Sequence, residues 1–505
     1  MVSKIREQLI HPPVPPLPPI PSPYGVAPEY VKKRAADLPN MASINIGELF
    51  TWLPKPIYPP PDPRNVRKAA EEALEKVDMS MIKPHHRVNI LGSHHGFLIL
   101  GGEPYAELLK TVKDVVERRT GARDIRLVLG VGLRHRENEI YIKRFKLDEY
   151  FGGKAFNVSP LDPGIPIETE IGVLYGIKRI YDADKIVHVH NTDVREVHFH
   201  RHVDRAFKPF GMSYARLETR STYHHNLGPR GANFVARAIF NSRFVQEKWT
   251  FAAFLRASPI GILGVYADND LERLDKKILI DNLRYYGVVM RLLSKIDECI
   301  VVLDFRAPIP YVFAGGVIFA NFTGANIDLF DLDQPLPPYT WYTEAYYDEY
   351  NKPLIPEIPP VNPAIKVLVI NYAWGGYPSV FWPKNIPTIV VGKEQAEVFK
   401  RDPQNIEFMK YAVVAEDLET AMDFAYKIAK TDKVLVFDGV YGSINMSRSL
   451  AEYLIDKVPE VEEELKKLLP KWLKQRGITS KDVIELAKYY NEPELEEIAK
   501  SLEKY

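Results

Sequence analysis

The sequence predicts an α/β protein: two α/β domains with mostly parallel sheets flanked by helices, plus an N-terminal proline-rich arm and a C-terminal helical extension. Three observations carry this. Short apolar runs ending in glycine or histidine alternate with helical patterns between residues 85 and 440. The first 64 residues are dense in proline. Residues 446–505 are charged and repeat with a helical period. The expected organisation is an arm over 1–64, a first α/β domain over 65–270, a second over 271–445 and a helical extension over 446–505.

In chain order, His11-Pro12-Pro13-Val14-Pro15-Pro16-Leu17-Pro18-Pro19-Ile20-Pro21 reads as polyproline II, because each proline fixes φ and removes a donor. A stiff arm packed on the protein or on a neighbouring subunit is expected. Residues 65–78 read as a helix, with Ala69, Ala70, Ala73, Leu74 and Val77 on one stripe. A strand over 88–91 stops at Gly92, a helix spans 105–119, and a strand over 125–129 runs into Gly130-Val131-Gly132. A helix at 167–181 precedes a strand at 185–190, and a helical stretch at 232–257 closes the first domain. The second domain reads as a helix at 275–296 and strands at 300–305, 316–321, 366–371, 387–391, 411–414 and 433–437, with helices at 394–401 and 417–430. The insert 330–363, rich in proline and tyrosine, reads as a long surface loop. Residues 457–474 form an amphipathic pair of segments broken at Pro470, and Thr479-Ser480-Lys481-Asp482 starts another helix. The chain shows no internal repeat.

Composition narrows the class. The 505 residues are 46% hydrophobic and 11% aromatic, enough for the cores of two or three domains. Lys+Arg and Asp+Glu both number 66, which excludes a protein that works by coating nucleic acid or an anionic membrane. The single Cys299 excludes a disulfide framework and any cysteine-rich zinc or iron–sulfur module. No apolar run reaches the roughly 20 residues of a membrane span, and Met1-Val2-Ser3-Lys4-Ile5-Arg6 leads into prolines instead of a signal-peptide core. A soluble cytoplasmic protein is expected.

The informative residues are the 13 histidines, all but His11 lying between 85 and 225. Imidazole is the commonest metal ligand and titrates near neutrality. Three histidine-bearing turns, 93–95, 134–136 and 191–202, each follow an expected strand, where open α/β sheets bind ligands. His188 and His190 alternate on one strand and so face one side. His198, His200 and His202 share a face if extended; if helical, His198 and His202 do. Either arrangement offers nitrogen ligands to a metal. Gly92-Ser93-His94-His95-Gly96 can bind an anion through backbone N–H groups. Trp374-Gly375-Gly376-Tyr377-Pro378 permits close backbone approach to a ligand.

Taken together, Asn89-Ile90-Leu91-Gly92-Ser93-His94-His95, then Leu129-Gly130-Val131-Gly132-Leu133-Arg134-His135-Arg136, then Glu196-Val197-His198 with Lys208 and His224, resemble the lactate racemase family, whose members use a nickel-pincer nucleotide. The spacing carries the resemblance: Lys208 stands ten residues after His198, and His224 twenty-six after it. Ile300-Val301-Val302-Leu303-Asp304, Phe313-Ala314-Gly315, and Gly375-Gly376-Tyr377-Pro378 followed by Lys384 extend it over about residues 85–445. The resemblance implies that Lys208 holds the cofactor and that His224 ligates nickel. It also implies that His135 and His198 act as acid and base. Ser93, His95, Gly375 and Gly376 are then expected at the cofactor, and Arg136, Tyr377 and Lys384 at the substrate. The first loop departs from the family, which carries an aspartate and an arginine where this chain reads Ser93-His94-His95-Gly96-Phe97. Bulky Asp204-Arg205-Ala206-Phe207-Lys208-Pro209-Phe210 stands where the family is glycine-rich, and Phe381 replaces its glutamine.

What the resemblance implies is racemisation or epimerisation of a 2-hydroxy acid, lactate-like or larger. Removing hydrogen from C2 as hydride avoids a carbanion, and handling either enantiomer needs a base on each side of the planar intermediate. Two histidines suit that task because proton transfer is most efficient near their pKa, and imidazole suits nickel. The expected partner is a small-molecule 2-hydroxy acid, with no nucleic acid or membrane, and with a homo-oligomer formed through the arm as an option. One alternative is a zinc or iron hydrolase using His188, His190, His198, His200 and His202 around a metal-activated water. The other is a non-catalytic member that binds a nucleotide.

Overall fold

The computed structural model describes residues 7–15, 28–58, 62–131, 135–192, 206–222, 228–304, 322, 328–334, 362–373, 381–401 and 407–505. It divides into two compact units, one of residues 55–193 with 202–282, the other of residues 1–54, 194–201 and 283–505. Each has a mostly parallel sheet with helices.

The arm and the following chain belong to the second of these units. Strand β1 (Ile10–His11) pairs antiparallel with β2 (Met41–Asn45). Val14 is held at both backbone groups by the Asn445 side chain, at 2.9 and 2.8 Å. The described part of the arm is therefore packed on its own sheet.

In the unit of residues 55–193 and 202–282, helix α1 (Pro63–Glu75) starts at an Asp62 cap and buries Val66, Ala70 and Leu74. Strand β3 (Arg87–Ser93) leads through a short 3₁₀ turn into helix α2 (Glu103–Thr120), which ends at Gly121 in the left-handed region. Strand β4 (Asp124–Gly130) follows, then helix α3 (His135–Arg144) and strand β5 (Ala155–Asn157). His135 thus opens a helix, where a turn was expected. The helix expected at 167–181 is instead a hairpin of β6 (Gly164–Thr169) and β7 (Gly172–Ile177), with helix only over Lys178–Tyr181. Gly172 takes φ +109°, which no helix accommodates, and the Thr169 hydroxyl donates to the Gly172 carbonyl to close the turn. Strand β8 (Lys185–Asn191) is buried along its whole length. Beyond it lie helix α4 (Lys208–Gly211) and helix α5 (Gly228–Asn241).

The helical stretch expected at 232–257 stops at α5 and a short turn over Arg243–Gln246, after which β9 (Trp249–Ser258) and β10 (Gly261–Asp268) form strands. Strand β9 is covered on both faces, so it shows no alternation and its apolar run mimics a helix. The sheet order is β10-β9-β8-β3-β4-β5, parallel throughout except that edge strand β10 is antiparallel to β9.

Helix α6 (Leu271–Leu293) carries the chain into the other unit. There β11 (Cys299–Asp304), β12 (Ile365–Tyr372), helix α7 (Phe381–Asn385), β13 (Thr388–Val391), helix α8 (Lys393–Lys400), β14 (Val413–Ala415), helix α9 (Leu418–Ala429), β15 (Val434–Phe437) and β16 (Ser443–Ser447) complete a sheet of order β1-β2-β16-β15-β11-β12-β13-β14. Ile300, Val302, Val367, Val369, Val434 and Val436 pack under Leu418, Ala421, Met422 and Ala425 of α9. The strand expected at 316–321 and most of the 330–363 insert lie outside the described residues.

At the carboxyl ends of the adjacent strands β11 and β15 sit Asp304 and Asp438, both buried. Asp304 accepts from Arg34 Nε at 3.0 Å and from the Ala35 N–H at 2.8 Å, and Asp438 accepts from Asn445 Nδ2 at 2.6 Å. Burial, aided by the neighbouring Asp304 charge, pushes Asp438 up to about 6.

The C-terminal extension is helical: α10 (Arg448–Ile455), α11 (Val458–Lys474), α12 (Ser480–Tyr490) and α13 (Leu495–Lys504). Thr479 caps α12 in a reciprocal capping box with Asp482. The break expected at Pro470 does not occur. Helix α11 runs through it, because buried Leu469, Trp472 and Leu473 offset the lost backbone bond, a cost of about 3 kcal/mol.

Candidate functional site

The chain enters the sheet of residues 55–282 at β3, places β4 and β5 on one side and later returns to place β8 and β9 on the other. The order therefore reverses between β3 and β8, where open α/β sheets bind ligands beyond the carboxyl ends. Ser93, the last residue of β3, and His190, near the end of β8, meet across this point with Oγ 2.9 Å from Nε2. Both side chains are fully buried. His190 Nδ1 lies 2.8 Å from the Asn191 amide N–H and 3.1 Å from the Asn191 carbonyl. Each protonation state of that nitrogen thus has a backbone partner.

Helix α2 braces the pair. The Tyr105 hydroxyl donates to the Val189 carbonyl at 2.7 Å and accepts from the Ser93 N–H at 3.2 Å. Burial raises its pKa far above the usual phenol value, so it stays a donor. Tyr105 needs the space that Gly96 leaves: a Cβ on Gly96 would sit 2.1 Å from its ring. The Asn191 side chain donates to the His95 carbonyl at 3.2 Å, which fixes the turn after β3.

Four imidazoles form a row. The ring centres of His94 and His95 are 3.9 Å apart, His95 and His190 6.5 Å, and His190 and His188 5.9 Å. His188 is fully buried. Its Nε2 donates to the Ala206 carbonyl at 3.2 Å, so Nδ1 accepts from the Tyr214 hydroxyl at 2.8 Å. Burial holds Tyr214 protonated. His188 is therefore a core histidine with both nitrogens engaged, which corrects its expected role as a ligand in the zinc or iron alternative. Among the described residues, no group of three or more His, Cys, Asp or Glu converges on a metal position.

Lys208 opens helix α4 and is 5% exposed. Its neighbours set its place: the Ala206 carbonyl bonds His188, and the Phe210 ring lies 5.5 Å from the His188 ring. The same segment closes on the end of β4, since a Cβ on Gly130 would meet the Ser213 carbonyl at 2.1 Å. Lys208 is thus buried within a segment packed on the sheet, not left on the surface.

Ser93 ends β3 and His95 lies in the turn after it, while Lys208 lies in the segment that packs on His188 and on the end of β4. His135 and Arg136 open α3, and Asn138 one turn later docks that helix on the same edge: its Nδ2 donates to the Leu129 and Gly130 carbonyls at 3.3 and 3.2 Å and to Asn157 at 3.0 Å. The His135 and Arg136 side chains, and residues His198, His200, His202, His224, Gly375, Gly376 and Tyr377, lie outside the described residues. Lys384 belongs to the other unit, on α7, with its amine 3.8 Å from Glu407 and 5.1 Å from the Tyr411 ring centre. Sequence reading missed Tyr105, Asn138, Asn191 and Tyr214, which no motif marks. None of the described helices is long and apolar enough to cross a membrane.

No protein-family model matches the sequence, and no curated protein does. Among solved structures the chain is similar to the lactate racemase apoprotein from Thermoanaerobacterium thermosaccharolyticum, with 14% identity and a TM-score of 0.43, over 74% of this chain and 91% of that chain.

Proposed function

We propose that the protein is a racemase or epimerase of a 2-hydroxy acid, working with a nickel-pincer nucleotide. Lys208 carries the reading. A lysine would ordinarily be solvated, yet Lys208, ten residues after His198 in the sequence, is buried in the segment whose Ala206 and Phe210 contact His188. The residue types assigned suit such a group: the imidazole of His224 would be a nitrogen donor of the kind nickel accepts, and Lys208 would be a buried amine for the link to the cofactor.

In this reading Lys208 holds the cofactor, Ser93, His95, Gly375 and Gly376 contact it, and His224 ligates the nickel. When bound, the cofactor supplies a hydride acceptor for C2. His135 takes the hydroxyl proton from one enantiomer and His198 from the other. Arg136, Tyr377 and Lys384 hold the carboxylate and orient C2.

The test is inversion at C2, between the enantiomers of lactate or malate or between the C2 epimers of gluconate, each deuterated at C2, by protein carrying its cofactor. Interconversion with the deuterium retained supports hydride transfer. His135→Ala and His198→Ala should each lower kcat by about 10²- to 10⁴-fold. Undiminished interconversion in both variants overturns the assignment.

A further inference from the structure

We infer that the unit carrying β11 to β16 holds a second ligand site, a cavity that takes a phosphate-free ribonucleoside. Strand order places it. The chain steps outward from β11 through β12 and β13 to β14, then returns through α9 to β15 on the far side of β11. Right-handed crossovers put α8 on one face of the sheet and α9 on the other, so the connections leaving β13 and β14 diverge. Such a divergence leaves a crevice at the carboxyl ends, where open α/β sheets take ligands.

A cavity of about 850 Å³ lies at this point. It is lined by Gly392 and Lys393 after β13, by Glu416 after β14, by Asn371 of β12 and by Tyr30. The volume is within the range of small-molecule sites. Among the described residues, none assigned to the cofactor or the substrate lines it.

The cavity offers acceptors. Asn371 is 6% exposed. Its Nδ2 donates to Asp304 Oδ1 at 2.7 Å and to the Lys33 carbonyl at 3.0 Å, which fixes the end of the amide that is oxygen. Among the described residues no donor reaches its Oδ1, so this oxygen calls for a donor from the cavity. Glu416 likewise has neither hydrogen bond nor ion pair among the described residues. Ribose hydroxyls and a base amino group are donors of the kind both require. Tyr30 is 55% exposed and Val414, also in the lining, 47%. They give a planar base an aromatic and apolar surface to stack on.

Charge decides against a phosphate. The lining holds six carboxylates and four lysines. Two of those lysines are engaged by lining carboxylates, Lys33 by Glu419 and Lys400 by Glu397, each at 2.7 Å. Gly392, just before α8, takes φ +80°, and a Cβ there would stand 3.5 Å from a Glu394 carboxylate oxygen. A negative charge therefore already lies at the helix N-terminus that a phosphate would use.

The test is isothermal titration calorimetry on the full chain with adenosine, AMP and ribose. Adenosine is expected to saturate with a Kd below about 1 mM. AMP is expected to bind at least about fivefold more weakly, and ribose at least about tenfold more weakly. Glu416→Gln and Tyr30→Ala, both at exposed positions, are each expected to weaken adenosine at least about fivefold. No saturable adenosine binding up to about 10 mM overturns the site, as does adenosine binding that either variant leaves unchanged. AMP binding as tight as that of adenosine overturns the phosphate-free assignment, and ribose binding as tight overturns the role of the base.

Discussion

Ser93 Oγ and His190 Nε2 meet at 2.9 Å although 97 residues separate them. The contact joins the ends of two parallel strands at the point where strand order reverses, and Tyr105 ties the same two strands from the helix side. The hydrogen bonds of Ser93, His190 and Tyr105 thereby fix this strand edge.

Tyr105 is the brace, so Gly96→Ala tests it. The added methyl falls 2.1 Å from the ring and forces Tyr105 off its two partners. A loss of about 1–3 kcal/mol is expected in urea unfolding. A loss below about 0.5 kcal/mol would show that the ring has room to move.

Tyr214→Phe removes the donor to His188 Nδ1 in a fully buried setting. The orphaned nitrogen should cost about 1–3 kcal/mol. Histidine NMR should show the His188 Nδ1 resonance moving while Nε2 stays on the Ala206 carbonyl. No change at Nδ1 contradicts the assigned tautomer.

Asn138 docks α3 through three donated bonds, so Asn138→Ala should loosen that helix first. Amide hydrogen exchange over residues 135–144 is expected to quicken by at least about tenfold, with β4 protected as before. Unchanged exchange in α3 would assign its docking to other residues.

Asp438 sets a pH dependence. Its folded value, about 6, lies above the unfolded carboxylate range near 4, so the folded state holds a proton that the unfolded state has released. Its contribution to stability is complete below that range and is lost as pH rises through about 6. Between about pH 4.5 and 7.5 the wild type should lose about 2 kcal/mol more than Asp438→Asn, measured by urea unfolding at both pH values. Equal losses contradict the assignment.

Much of the fold is legible in the sequence where burial and period agree. Strands β3, β4 and β8 read as apolar runs ending in glycine or histidine, and Thr479 with Asp482 marks the start of α12. Strand β9 was hidden because both its faces are covered, and the β6–β7 hairpin because its turn depends on the backbone of one glycine. Pro470 misled for a tertiary reason, since only packing shows that the helix survives it. At the site, histidine clustering and the spacing from His198 to Lys208 were visible. The pairing of Ser93 with His190 was not, because it is set by which strands become neighbours. The engagement of His188 by Tyr214 and Ala206 likewise has no local signal.

The most direct measurement is metal analysis with peptide mass on protein purified from the organism that encodes it. One nickel per chain and an added mass on the peptide carrying Lys208 are the expected result. Zinc or iron in place of nickel, with an unmodified Lys208 peptide, contradicts the racemase reading.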